Sequence, residues 1–143
     1  MRKDTLVIKD CWDELLYSGD FLRCFESIAI VDNNLIMDLT RGLHVSSKLK
    51  PLFKKTGIYG DVGNCRLLFL NIHYLKIKIG PFLKIGENLK TLSLIEYEHK
   101  GKSEKPGDKF GFEGYFNPDA ILQAFVDFEC DAERFELHIL DPA

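Results

Sequence analysis

The run from Cys65 to Ile79 constrains the fold of this chain more than any other segment. It is built almost entirely of leucine, isoleucine and aromatic residues with polar residues between them, and no glycine or proline interrupts it. That composition reads as a β-strand. Its alternation changes phase part-way: Leu68, Leu70 and Ile72 share one parity, and Leu75, Ile77 and Ile79 share the other. Strand side chains alternate with a period of two, so a change of phase calls for a bulge or bend, expected near Asn71-Ile72-His73. Lys76 and Lys78 then point away from the core.

Strand signals recur along most of the chain. Ile28-Ala29-Ile30-Val31, the turn residues Asp32-Asn33-Asn34 and the stretch Leu35 to Val45 read as a hairpin. After Gly80-Pro81 and Gly86, Leu89 to Tyr97 reads as a further strand, ended by a polar loop from His99 to Asp108. Phe110, Phe112 and Phe116 alternate against Glu113 and Tyr115, as in a strand with one wet face. Asn117-Pro118-Asp119 is compatible with a helix start, but parity favours strand from Leu122: Leu122, Ala124, Val126, Phe128 and Cys130 share one face, and Gln123, Phe125, Asp127 and Glu129 the other. Asp131-Ala132-Glu133 reads as a turn, after which Phe135, Leu137 and Ile139 resume the alternation.

Only the N-terminal region carries a helical signal. Asp10 stands as N-cap before Cys11 to Tyr17, acids follow in the first turn, Gly19 supplies the stop, and Trp12, Leu15 and Leu16 share a face. The expected class is therefore α+β: a short N-terminal helix followed by a mostly antiparallel, meander-like sheet in a single domain spanning residues 1–143, with roughly half the chain in strands.

Composition limits the functional classes. With 45% apolar residues the chain has ample material for one core. No apolar stretch approaches the roughly 18 residues of a membrane helix. The apolar patch Leu6-Val7-Ile8 is too short for the core of a secretory signal, so a cytoplasmic location is the expectation. The net charge of −3 divides unevenly, with residues 1–95 at +4 and residues 96–143 at −7. An acidic final third argues against a general nucleic-acid binder, with the lysines at 48, 50, 54 and 55 as a local exception.

Cys11, Cys24, Cys65 and Cys130 form no paired spacing, and no histidine stands at metal-ligand distance in sequence, so neither a metal site nor a cofactor is expected. Phosphate-loop, dinucleotide, nucleophile-elbow and zinc-protease motifs are missing. The glycine-rich segment Gly57 to Gly63 would let backbone amides approach an anion, but a strand follows it where a phosphate site would place a helix. It lies within a long excursion, Ser46 to Asn64, that reads as a working loop. Cysteine–histidine pairs such as Cys65 with His73, or Cys130 with His138, have the residue types of a nucleophilic dyad, though buried structural cysteines are the ordinary alternative.

The outward side of the last strands carries the most distinctive pattern. Asp127 and Glu129, then Glu136 and His138 across the expected turn, face outward with Phe125, and Glu113 and Tyr115 join them if the preceding strand is a neighbour. An acidic surface with exposed aromatics suits a partner bearing basic groups.

The order of elements resembles the small α+β immunity proteins with which bacteria neutralise contact-dependent or polymorphic toxins. The resemblance rests on Asp10 to Tyr17, the hairpin around Ile28 to Asp32, the strand Leu67 to Ile77 and the closing Phe128-Glu129-Cys130. It implies a cytoplasmic non-enzyme that binds a cognate protein toxin stoichiometrically, without nucleic acid or membrane. Two other readings stand beside it. One is a small hydrolase or nuclease gathering His73 or His138 with carboxylates from separate strands. The other is a binding module for a small ligand or peptide, using the sheet or the loop from Ser46 to Asn64.

Overall fold

The computed structural model describes residues 5–16, 23–116 and 120–143. The described residues form ten strands: β1 Leu6–Lys9, β2 Leu15–Leu16, β3 Cys24–Val31, β4 Asn34–Arg41, β5 His44–Val45, β6 Cys65–Ile85, β7 Asn88–Thr91, β8 Ile95–Lys100, β9 Asp108–Phe116 and β10 Leu122–Ile139. Strands account for 66% of the structure, more than the half expected.

The apolar run becomes β6, which extends through Gly80-Pro81 to 21 residues and pairs antiparallel with the 18-residue β10, from Leu83 opposite Leu122 to Cys65 opposite Ile139. Both strands kink at one place. The register shifts between Asp131 and Ala132, opposite Tyr74 and Ile72, and Asn71 adopts φ +57°. Asparagine tolerates that left-handed conformation better than most residues. The kink is held by asparagines: the Asn71 N–H donates to Asn34 Oδ1 at 2.9 Å, and Asn33 Nδ2 donates to Asn71 Oδ1 at 2.9 Å and to the Ile72 carbonyl at 3.1 Å. The phase change in the sequence is therefore a bulge, at the expected position. The core parity before it is odd: Cys65, Leu67 and Phe69 are fully buried, and Leu68 and Leu70 lie half-buried on the other face.

Below the kink β6 pairs with β4, and above it with β8 and then β7. On its far edge β10 carries β1 and β9. Cys24 and Phe25 of β3 run parallel to Tyr115 and Phe116 of β9, while β3 pairs antiparallel with β4. The pairings β4–β6–β10–β9–β3–β4 thus close on themselves. Gly114 permits that closure, because a Cβ there would lie 2.4 Å from the Phe25 ring and 2.6 Å from the Arg23 carbonyl oxygen. The result is a mixed eight-stranded sheet in which chain neighbours are often not sheet neighbours, and the expected meander is not formed.

The expected N-terminal helix is also absent, and no helix of seven or more residues occurs among the described residues. Trp12–Glu14 form a single 3-10 turn whose N-cap is Cys11, without a side-chain cap. Tyr17 and Gly19, the end and stop of that helix, lie outside the described residues. The physical reason is packing. A helix this short has little stability of its own, whereas Trp12 sits among four core rings, with centroids 5.0 Å from Phe110 and Phe135, 5.7 Å from Phe69 and 6.2 Å from Phe112. The chain then turns directly into β2, which pairs with β5.

Other expectations are corrected by the pairings. Asp131-Ala132-Glu133 is the bulge of one continuous strand and not a turn, because the Asp131 carboxylate accepts the Gly107 N–H at 2.6 Å while Ala132 is buried in the ladder. The stretch Leu89 to Tyr97 divides into β7 and β8, and β8 includes His99 and Lys100. The β3–β4 hairpin is present, with Asp32 and Asn33 at φ +51° and +61° in its two-residue turn, as a type I′ turn requires. Its apolar Ile30 and Val31, however, are exposed. The ambiguous Asn117-Pro118-Asp119 lies outside the described residues.

If Trp12 is the plug of this core, Trp12→Ala should cost about 3 kcal/mol in urea denaturation, towards the lower end of buried aromatic truncations. Trp12→Phe should recover a large part of the loss.

Candidate functional site

The sheet register decides what the sequence-predicted surface is. On the outward face of β8–β6–β10–β9, one row reads Glu96, Lys78, Asp127, Glu113 and the next reads Glu98, Lys76, Glu129, Gly111. Asp127, Glu129 and Glu113 are therefore brought together as expected, but a column of lysines stands directly against them. Lys78 Nζ is 3.9 Å from Glu96 Oε1. Phe125 and Tyr115 meet in the adjoining row with ring centroids 5.5 Å apart, so each covers part of the other.

Glu136 and His138 are not part of this patch. Beyond the β10 bulge they face outward between β6 and β1, with Leu68 and Lys9 flanking Glu136 and Arg66 and Val7 flanking His138. His138 Nε2 lies 3.0 Å from Glu136 Oε1, with both side chains largely covered. In the same row Arg66 grips Asp38 bidentately, Nε to Oδ1 at 2.6 Å and Nη2 to Oδ2 at 3.1 Å. These charges neutralise one another along the row.

Of the His-and-carboxylate groupings, His138 meets one carboxylate, Glu136, and His73 stands apart from that pair. His73 sits at the kink with Nδ1 2.9 Å from the Ser103 carbonyl oxygen, far along β6 from the Arg66 position that faces His138. The thiols of the suggested dyads are buried, and that burial pushes Cys65 and Cys130 each up to about 12. A thiol held protonated in this way is a poor nucleophile. No group of three or more metal-ligating side chains occurs among the described residues.

The loop from Ser46 to Asn64, read from the sequence as a working part, borders a cavity whose walls the sequence did not reveal. The loop between β5 and β6 folds back against the end of β4 and encloses a cavity of about 700 Å³, a size typical of small-ligand sites. Arg41, His44, Lys54, Lys55, Tyr59 and Asp61 are among its lining residues. Asp61 fastens the loop: its Oδ2 accepts the Gly42 N–H at 3.0 Å and its backbone carbonyl accepts the Gly57 N–H at 2.7 Å. Gly63 lets the loop lie against β4, since a Cβ there would overlap the Thr40 carbonyl at 1.9 Å. Burial lowers the His44 pKa from its ordinary 6.5, with Arg23 and Lys50 adding to the effect and Asp61 opposing it. The glycines and lysines of 48–63 were the visible signal. His44 and Arg41 had none, because only the fold brings them beside that loop.

Comparison with known proteins finds no matching family model, no matching curated protein and no matching solved structure.

The buried thiols give a direct check. Cys65 and Cys130 should resist iodoacetamide at pH 8 in the folded protein and react once it is unfolded. Their ionisation is suppressed only in the folded state, so the unfolded state loses protons first above pH 9, and stability should fall as pH rises from there towards 12. A pH series of urea midpoints measures that slope.

Proposed function

We propose that this protein acts by stoichiometric binding, as an immunity or inhibitor protein for a protein toxin, and that it meets its partner at the edge strand β8. The observation that carries this reading is the chemistry of that edge. Among the described residues β8 pairs only with β6, which leaves its other edge open. Ile95 and Tyr97 lie opposite Ile79 and Ile77 on the core side of the sheet, yet they are 53% and 51% exposed. Glu96 and Glu98 alternate with them on the outward side.

An open edge offers backbone hydrogen bonds to an added strand, and alternate side chains then set specificity. The strand that fits β8 carries apolar residues on one side and basic residues on the other. Exposed apolar residues continue on the same side of the sheet as Ile95 and Tyr97, at Ile85 and Leu122 near the ends of β6 and β10, while Leu89, opposite Lys84, lies on the other side. Acids stand in three of the four columns of the outward face, at β8, β10 and β9, and support a partner with basic groups even with Lys76 and Lys78 between them.

The test is co-expression with the product of the adjoining upstream gene, scored for rescue of growth and for a purified one-to-one complex. Glu96→Lys with Glu98→Lys, and separately Tyr97→Lys, should leave the circular dichroism spectrum intact and weaken the complex at least about tenfold, the loss expected of a desolvated anchor or a reversed charge pair. Reversing Asp127 and Glu129 should slow association more than it speeds dissociation. Full rescue by the β8 variants would remove this edge from the interface. A homodimer that the same variants dissociate would assign the edge to a second copy of the chain.

A second reading, a small-ligand module, is favoured by the cavity at the opposite end of β6.

A further inference from the structure

We infer that the cavity beneath the β5–β6 loop is a binding site for a small organic anion: a compact apolar or aromatic body carrying one carboxylate or phosphate. This goes beyond the partner-binding reading and is independent of it.

Three features of the cavity define the ligand. The first is its charge. Arg41, Lys54 and Lys55 line it. The acids among the lining residues are Asp61 and Asp141. Asp61 accepts the Gly42 N–H and keeps its charge, and Asp141 lies 4.0 Å from Lys54 Nζ. Lys55 has no carboxylate within ion-pairing distance among the described residues. Three cations against two acids leave the lining net positive, and a net-positive concave site favours an anionic group.

The second feature is an apolar lining. Phe53 and Val62 are buried in the core and present part of their surface to the cavity, while Ile58 and Tyr59 stand at its rim, 91% and 71% exposed. Apolar side chains held in water at the mouth of a cavity gain by covering a ligand, and a flat ring matches Tyr59 best. A bare inorganic anion would use the cations and leave this lining without a role.

The third feature is that the walls are fixed in advance. Gly42 and Gly60 take φ +86° and +78°, Asn64 takes +51°, and Leu43 and Val62 exchange backbone hydrogen bonds at 3.1 and 2.8 Å. The loop is thus tied to β4 and β5 before any ligand arrives, which lowers the ordering cost of binding. The cavity's volume of about 700 Å³ accommodates a ligand of that kind.

Nitrogen-15 labelled protein titrated with phenyl phosphate, benzoate, inorganic phosphate and benzyl alcohol tests the assignment. Phenyl phosphate, benzoate or both should shift amides of residues 41–44 and 54–63 saturably. Inorganic phosphate and benzyl alcohol should each bind at least about tenfold more weakly, since each lacks one half of the recognition. Preference between phenyl phosphate and benzoate identifies the anionic group, and either preference supports the site. Lys55→Glu and Tyr59→Ala alter exposed side chains and should each weaken binding of the preferred probe at least about fivefold, with the remaining amide spectrum unchanged. Equal binding of all four compounds, shifts confined to other residues, or no saturation by any of them would overturn the inference. Tight binding of inorganic phosphate alone would overturn the apolar half of it. Complex formation through β8 should be unaffected by either variant, so the two readings fail separately.

Discussion

The antiparallel ladder between β6 and β10 is the interaction on which the rest of the structure depends. Every other strand of the main sheet is hydrogen-bonded to one of these two, except β3, which bridges β4 and β9 to complete the ring. The ladder joins chain segments far apart in sequence, so it must overcome a large loop-closure cost before it returns any free energy. It does so by burying one face nearly completely: Cys65, Leu67, Phe69, Ile72 and Leu75 on β6 lie against Val126, Phe128, Cys130, Ala132, Phe135, Leu137 and Ile139 on β10. Strands of this length cannot both stay straight and wrap a single core. The matched irregularity at Asn71 and at Asp131/Ala132 lets the pair bend without giving up its ladder.

That bend also distributes the neighbours. Below it β6 presents its free edge to β4, and above it the same edge receives β8, so the β3–β4 turn and the β8–β9 loop converge on the kink from two sides. Asn33 joins them, accepting the Lys102 N–H on its side-chain oxygen at 3.0 Å while its amide binds Asn71. The stretch from Asn71 to His73 is thus both where the hydrophobic pattern breaks and where three parts of the chain meet. An irregularity in the pattern marked a junction of the fold.

Much of the strand content was legible in the sequence because period-two alternation is a local property, and Phe110, Phe112, Phe128, Phe135 and Leu137 all lie buried where that pattern puts them. Two kinds of feature were not legible. The segment around Trp12 has sound helical signals, and long-range contact of one indole with four phenylalanine rings overrides them. Asp131-Ala132-Glu133 has turn chemistry, and the partner strand's own bulge absorbs it into a ladder. The make-up of the acidic face was only partly legible for a related reason. Parity correctly grouped Asp127 with Glu129, but the sheet neighbour of β10 is β6, whose Lys76 and Lys78 share that face, and no single-strand pattern reveals which strand lies alongside. The bulge likewise carried Glu136 and His138 away to a row occupied by Arg66 and Asp38.

The placement of the two proposed surfaces follows from the same ladder. The β5–β6 loop closes its cavity just before Cys65, whereas β8 attaches between Tyr74 and Ile79. At roughly 3.3 Å per residue of strand, the nearest of these points are about 30 Å apart along β6. A packed core lies between them, and no loop spans the two among the described residues. Substitutions separated by more than about 10 Å without shared partners add almost independently. A charge placed on β8 and one placed at Lys55 therefore perturb different equilibria, and coupling between the two sites would require β6 itself to adopt two arrangements. The asparagine cluster opposes movement of β6 relative to β4: a slide would break the Asn33 and Asn34 contacts to Asn71 and leave partly buried polar groups without partners, at about 1–3 kcal/mol each. The kink that permits this fold also holds β6 in register with β4, so the two proposed surfaces are not coupled by movement of that strand pair.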